Sequence, residues 1–253
     1  MERKITDWGG SIVAILAVLL VNYLSNAIPL GGMTQKDISD LYPSLFTPAS
    51  FTFAIWGVIY LALAGFVIYQ ALPAQRNNAL VARISQLFIL SCVANIAWIF
   101  CWHYGQLALS LAVMLAILFI LVTIYRVLGI ANRPASLKEQ VFLHLPFSLY
   151  TGWITVATVA NLSILQTAYG LDNLGIDAVS WTLLKLAAVA AIAALVIILR
   201  NDMVYGLVIA WAAFGIMSKQ TATPAVSGSA TVLVAVAVML VTFVGIRWLL
   251  RRE

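Results

Sequence analysis

The side chains of this sequence that could do chemistry are aromatic rings and amides. The chain has eight tryptophans, and Trp56, Trp98 and Trp153 lie deep inside long apolar runs. Tyr60 and Tyr150 are close by in the sequence. Asn95, Trp98 and Trp102 follow steps of three and four residues, so they share one face of a helix. Tryptophan rings can stack on a flat molecule while a few amides fix its orientation. This pattern predicts a pocket for a flat aromatic or sterol-like ligand.

A second pattern is a polar stripe within the apolar run 143–168, formed by Ser148, Thr151, Thr155, Thr158 and Asn161. Because these residues follow three- and four-residue steps, they fall on one side of a helix. Ser, Thr and Asn in membrane helices often bind neighbouring helices. The stripe therefore has two interpretations: a contact between helices, or the wall of a pocket or of a path for a small neutral solute.

Catalytic and metal-binding patterns are missing from the sequence. It contains no HExxH, no GxSxG and no phosphate-binding glycine loop. We expect no Asp or Glu inside a membrane span, where an ionisable side chain is costly and usually functional. His103 and His144 are expected at opposite faces of the membrane, and Cys92 and Cys101 on opposite faces of one helix. The sequence therefore predicts no catalytic residue, no metal site and no enzymatic function.

The composition predicts an all-α, polytopic bundle of transmembrane helices. Of the 253 residues, 63% are hydrophobic and 9% are charged, against roughly 45–50% and 25% in soluble domains. A crossing needs about 20 apolar residues. About eight spans are predicted, at 9–29, 51–72, 84–102, 107–130, 143–168, 180–199, 203–218 and 229–250. The seventh is the shortest, and the sixth and seventh could instead form a shallow hairpin.

Basic residues predict the orientation of the bundle, because cytoplasmic connections are enriched in Lys and Arg. With the N-terminus inside, eleven basic residues lie on the inner side and two, Lys36 and Lys219, on the outer side, while Lys185 falls within the sixth span. Both termini are therefore expected in the cytoplasm. The basic residues form no stripe, so we expect a lipid bilayer as the partner and no nucleic acid.

The first connection, about residues 30–50, is long for a compact bundle. It contains Thr34-Gln35-Lys36-Asp37, which predicts a capping box followed by a short helix at the membrane interface. Long loops often cover functional sites. The connection is therefore either a lid or an idle outer loop.

Three motifs in this order resemble the tryptophan-rich sensory protein family, also called the translocator protein or peripheral-type benzodiazepine receptor family. The family's second helix carries W-x-F-x-x-x-W-x-x-x-Y, which resembles Phe51, Phe53, Trp56 and Tyr60 after Thr47-Pro48. Its third helix carries N-x-x-W, as do Asn95 and Trp98. Its fifth helix carries W-x-x-x-A-T-x-x-N, matched by Trp153, Ala157, Thr158 and Asn161.

The resemblance covers residues 8–169 and departs from the family at several positions. Phe51 stands where the family has its first tryptophan of the second helix, and Ser91 where it has a glutamine. The spans at about 180–250 have no counterpart in the five-helix family. We therefore divide the chain into a five-helix translocator-protein-like bundle, 1–170, and three additional helices, 171–253, in the same membrane domain.

The resemblance implies a ligand pocket inside the first five helices. Carried over by position, this pocket uses Phe53, Trp56, Tyr60, Asn95, Trp98, Trp153, Ala157 and Asn161. Helical geometry adds Trp102 and Tyr150. Family members bind tetrapyrroles, sterols and aromatic drugs, are linked to stress signalling and commonly form homodimers. No cofactor is required, and a bound tetrapyrrole or haem is the expected ligand.

The expected function is thus a membrane receptor or carrier for a flat hydrophobic ligand, in a bacterial inner membrane. The alternatives are a transporter or permease for a small neutral solute and a structural membrane subunit. A homodimer is implied by the resemblance. A monomer is the alternative, because the sixth span could cover the surface that five-helix members use for dimerisation.

Overall fold

The computed structural model describes residues 3–171 and 175–250, and all regular structure in these ranges is helical. Nine α-helices, counted over the described residues, follow in order: α1 (Ile5–Ala27), α2 (Gln35–Leu41), α3 (Ile55–Ala71), α4 (Ala79–His103), α5 (Leu107–Leu128), α6 (Leu137–Ala168), α7 (Ala178–Arg200), α8 (Met203–Lys219) and α9 (Pro224–Leu250). A 3-10 turn at Ser50–Ala54 leads into α3, and α6 contains a π turn at Gln140–His144.

The long helices form the predicted polytopic bundle. Among the described residues, seven helices are long and apolar enough to cross a membrane, while α8 has 17 residues. A helix of that length is roughly 26 Å long, against a hydrocarbon core of roughly 30 Å. Helix α8 nevertheless runs the depth of the bundle, because Asp202 at its start contacts Tyr125 near the end of α5, whereas Gly215 contacts Thr52 ahead of α3. Helices α7 and α8 therefore do not form a shallow hairpin.

Several helices begin earlier than the sequence predicts. Helix α9 begins at Pro224 rather than near residue 229, so Ser227 and Gly228 lie inside the helix. Proline is well suited to the first turn of a helix, where its missing N–H would have no partner.

The predicted capping box in the first connection is confirmed, since Thr34 and Asp37 cap α2.

Asp7 corrects the expectation that no acidic residue lies inside a span. It belongs to the first turn of α1, is buried, and accepts hydrogen bonds from Arg3 at 2.8 and 3.0 Å. Arg3 also donates to Ser85 Oγ at 2.9 Å. The burial is tolerated because the ion pair and its hydrogen bonds replace lost water. Glu139 likewise lies in the first turn of α6, where it takes part in a capping box.

The helices pack so that α6 lies at the centre of the bundle. It contacts α3, α5 and α8 and is the most buried of the candidate spans. Gly152 permits close packing of α6 against α8, because a Cβ there would lie 3.1 Å from Val208 Cβ. Helix α1 packs on α3 and α4, whereas α7 and α9 pack on the far side of α8. The last three helices are thus joined to the first five mainly through α8.

Candidate functional site

A cavity of about 500 Å³ lies at the end of the bundle that carries α2, here called the α2 end. Helices α1, α2, α3, α4, α5, α6 and α8 all contribute side chains to its lining. Eight of the ten predicted ligand-binding residues line it: Phe53, Trp56, Tyr60, Trp98, Trp102, Trp153, Ala157 and Asn161. The structure therefore brings together residues that lie more than 100 positions apart in the sequence.

Aromatic rings from α3 and α6 form one wall of the cavity. Trp56 stacks on Tyr60 with a centroid distance of 5.3 Å and an interplanar angle of 22°. The Trp153 ring lies edge to face with Trp56 at a centroid distance of 6.2 Å and with Phe53 at 5.8 Å. Stacked and edge-to-face contacts are the geometries that aromatic quadrupoles favour. The rings therefore fix one another and present a rigid apolar surface.

The opposite wall comes from α4, with α2 placed against it. Trp98 and Trp102 stack at 5.6 Å with an angle of 24°. Trp102 Nε1 donates to the backbone oxygen of Gln35 at 3.2 Å, which ties α2 to α4. Ile38 of α2 also packs in a small apolar cluster with Trp102. The first connection thus lies against the cavity and supplies part of its lining.

Asn95 and Tyr150 are the two predicted site residues that do not line the cavity. Asn95 Nδ2 donates to the Tyr150 hydroxyl at 3.2 Å, and Asn22 Nδ2 donates to Asn95 Oδ1 at 3.2 Å. The Tyr150 ring contacts Trp56 edge to face at 5.9 Å. This pair therefore sits behind the lining, where it connects α1, α4 and α6 and supports the Trp56 ring.

Helix α8 holds the turn that presents Phe53. Gly215 accepts a hydrogen bond from the Ala49 N–H at 3.0 Å, and Trp211 Nε1 donates to the Thr52 carbonyl at 2.9 Å. A Cβ on Gly215 would lie only 2.0 Å from Thr52 Oγ1, so glycine is needed for this approach. The eighth helix is therefore part of the structure that positions the aromatic wall.

Comparison with known proteins assigns the family. The family described as TSPO-like protein matches residues 8–244. The chain belongs to the TSPO-like protein family. The match continues past residue 169, where the sequence motifs end, and includes α7, α8 and most of α9. No curated protein and no solved structure matches the chain significantly.

Four buried polar atoms in the cavity lining of this TSPO-like protein have no hydrogen-bond partner among the described residues. They are the Thr47 hydroxyl, the Tyr60 hydroxyl, Trp98 Nε1 and Trp153 Nε1. An indole N–H can only donate, and a buried donor without an acceptor costs about 1–3 kcal/mol. The cavity is therefore apolar on its ring faces and carries donors that a bound molecule or water can satisfy.

The polar stripe of α6 makes hydrogen bonds within α6 and to neighbouring helices. Thr151, Thr155 and Thr158 each donate to a backbone carbonyl of α6 itself. Thr155 also accepts from the Tyr205 hydroxyl of α8 at 3.0 Å.

The residues at the two ends of the stripe, Ser148 and Asn161, bind neighbouring elements. Ser148 donates to the Asp202 carboxylate at 2.6 Å, while Asn161 pairs with Ser110 of α5. Of the stripe, Asn161 reaches the α2-end cavity. The interpretation of the stripe as a contact between helices therefore fits the structure at Ser148, Thr155 and Asn161.

The histidines and cysteines remain apart from one another. His103 ends α4 at the α2 end, with Nδ1 2.8 Å from the Ile99 carbonyl, and His144 lies in the π turn near the opposite end. Cys92 and Cys101 are both free thiols. Over residues 3–171 and 175–250, no three His, Cys, Asp or Glu side chains are grouped as metal ligands.

The structure adds lining residues that the motifs do not indicate. They come from α1, α2, α5 and α8 and include Asn22, Ser39, Met114 and Lys219. The length of the first connection and its capping box predicted the short helix α2. No local signal marks Asn22, Met114 or Lys219, because their place at the cavity depends on contacts between distant helices.

Proposed function

We propose that this TSPO-like protein is a membrane receptor or carrier that binds a flat hydrophobic ligand, of tetrapyrrole or sterol type, in the α2-end cavity. The observation that carries the proposal is the enclosure of one cavity by five aromatic side chains from two walls, Phe53, Trp56 and Trp153 on one and Trp98 and Trp102 on the other. Ligand sites are typically about 300–1,000 Å³ and mostly apolar. The cavity of about 500 Å³ is in this range.

The unpartnered donors support a ligand that carries acceptor atoms as well as rings. Trp98 and Trp153 offer indole N–H groups from opposite walls, and Tyr60 of α3 adds a hydroxyl. Binding an acceptor would satisfy donors that burial leaves unpaired. The proposed role is binding, with no reacting group of the protein involved.

The distribution of charge supports placement in an inner membrane with the α2 end outside. Lys36 and Lys219 lie at the α2 end. At the opposite end, Arg76 and Arg133 follow α3 and α5, and Arg200 ends α7. Connections rich in Lys and Arg stay in the cytoplasm. In this orientation the cavity opens toward the outer side, and a ligand would enter from there or from the outer leaflet.

A titration of the detergent-purified protein with protoporphyrin tests the proposal. Binding is followed by the shift of the porphyrin absorption band, so that removing a tryptophan does not remove the signal. We expect saturable binding that weakens at least about tenfold in Trp56→Leu and Trp153→Leu, which lose large contact surfaces. Trp8→Leu, at the opposite end of the bundle, is the matched control. Absence of saturation, or equal binding by all variants, would contradict the proposal.

A further inference from the structure

The mouth of the cavity carries three charged side chains. We define the mouth as the exposed lining at the α2 end formed by Lys36 and Asp40 of α2 and by Lys219 at the end of α8. The remaining lining residues are aliphatic, aromatic or neutral polar. Any electrostatic preference of the cavity therefore originates at its mouth.

The charges at the mouth do not cancel. Lys36 and Asp40 are one helical turn apart on α2 and form an ion pair. Lys219 has no ion pair or side-chain hydrogen bond among the described residues. Among these lining side chains, two amines and one carboxylate leave one positive charge, and it belongs to Lys219. The Asp37 carboxylate, which lies outside the lining, acts on Lys36.

The interior of the cavity also favours a ligand with acceptor atoms, through uncharged hydrogen-bond donors. Trp98 and Trp153 present N–H donors without acceptors, and the Tyr60 hydroxyl can also donate. A molecule with a positive group would meet repulsion at the mouth and donors further in. A molecule with an anionic group would meet an unpaired amine at the mouth and apolar rings below it.

We propose that the ligand is an amphipathic anion, whose flat apolar body occupies the aromatic cavity while its carboxylate or similar group binds Lys219 at the mouth. This inference rests on the proposed function and adds the chemical class of the ligand. It also gives α8 a direct part in recognition, besides its hydrogen bonds to the turn that carries Phe53. The last three helices then complete the site.

Asp40 limits the positive charge at the mouth by holding Lys36. The hydrogen bond and the charge of Asp40 raise the pKa of the Lys36 amine. Removing the carboxylate with Asp40→Asn would release a second cation beside Lys219. Affinity for an anion should then rise, whereas affinity for a neutral molecule of the same shape should not change.

Two probes with one aromatic body separate charge from shape. 1-Pyrenebutyrate carries a carboxylate, and 1-pyrenebutanol is its neutral counterpart. Binding to the detergent-purified full chain is measured by energy transfer from tryptophan to pyrene. The variants are Lys219→Gln, Lys219→Arg and Asp40→Asn, with Lys138→Gln at the opposite end of the bundle as the matched control.

We expect the wild type to bind the acid about three- to fivefold more tightly than the alcohol, the range for a partly exposed ion pair. The preference should vanish in Lys219→Gln, persist in Lys219→Arg and Lys138→Gln, and increase in Asp40→Asn. High salt should reduce it, because exposed charges are screened. Unchanged binding of the alcohol shows that each variant keeps its fold.

The outcomes distinguish this inference from the proposed function. If the alcohol binds but the acid has no advantage, or keeps its advantage in Lys219→Gln, the anionic ligand class is wrong and the aromatic site stands. If neither probe binds, both proposals are wrong.

Discussion

At the scale of single residues, the cavity depends on aromatic side chains, of which Trp98 and Trp153 have ring partners but lack polar partners among the described residues. Trp153 contacts Phe53 and Trp56 through its ring, while its Nε1 has no acceptor among the described residues. The ring and the N–H group can therefore contribute separately to binding. A substitution that keeps an aromatic ring and removes the donor tests the second contribution.

Trp153→Phe tests the role of the unpartnered donor. We expect affinity for 1-acetylpyrene, which carries one carbonyl acceptor, to fall about fivefold, since a hydrogen bond contributes about 1 kcal/mol. Affinity for pyrene itself should change little. Fluorescence titration with both probes measures the difference, and Trp8→Phe is the control. An equal loss for both probes would show that Trp153 acts through its ring alone.

The tryptophans of the cavity could be predicted from sequence because their positions are unusual for a membrane protein. Trp56, Trp98 and Trp153 lie inside apolar runs, whereas membrane tryptophans usually lie at the interfaces. Lys219 gave no such signal. A lysine at the end of a span looks like any interfacial cation, and only the path of α8 brings it to the cavity.

At the scale of elements, α8 connects the first five spans to the last three. Tyr205 binds Thr155 of α6, and the Asp202 carboxylate accepts hydrogen bonds from Ser148 and from Tyr125 of α5. Near the other end, Gly215 meets the turn before α3. Helix α8 thus contacts the first five spans at both ends of the bundle.

Gly215→Ala should disturb the aromatic wall without touching a ligand. The new Cβ would lie 2.0 Å from Thr52 Oγ1 and 3.0 Å from Pro48 Cβ, so the turn carrying Phe53 must move. We expect a loss of roughly 1–3 kcal/mol in stability, as for other overpacked sites, together with weaker porphyrin binding. Thermal unfolding in detergent and the absorption titration measure the two effects.

Gly228→Ala provides the control for this change. Gly228 lies inside α9, and a Cβ there meets no atom within 4 Å. Because alanine is the better helix former by about 1 kcal/mol, stability should be equal or higher. Similar losses in both variants would show that the contact of α8 with the turn is not required.

Helix identities were easier to predict than helix contacts. Apolar runs of sufficient length determined the spans, and the Thr34 and Asp37 side chains marked the start of α2. The burial of Asp7 was missed because its partner, Arg3, precedes the span and folds back onto it. The polar stripe of α6 stayed ambiguous, because a hydroxyl facing a cavity and one facing α8 follow the same spacing.

At the scale of the whole molecule, the TSPO-like match and the packing describe one membrane unit rather than a core with an appendage. The matched residues, 8–244, extend into α9. Helix α8 contributes Lys219 to the cavity lining and supports the Phe53 turn. We infer that all the spans are needed for a complete site, although the aromatic motifs lie in the first five.

The orientation of the molecule can be tested with single cysteines after Cys92 and Cys101 are replaced by alanine. Thr221→Cys lies in the connection after α8, at the α2 end, and Asn132→Cys lies in the connection after α5, at the opposite end. A membrane-impermeant maleimide should label Thr221→Cys in intact cells and Asn132→Cys only after permeabilisation. The reverse pattern would place the α2 end in the cytoplasm.

The central claim is that a flat hydrophobic molecule binds among the aromatic side chains of the α2-end cavity. The most direct measurement is photo-crosslinking with a diazirine-bearing porphyrin, followed by mass spectrometry of the labelled peptides. We predict labels near Phe53 and Trp153, lost when unlabelled protoporphyrin competes. Labels confined to outward-facing side chains such as Leu61 and Phe119, which are 76% and 74% exposed, and unaffected by competitor, would contradict the account.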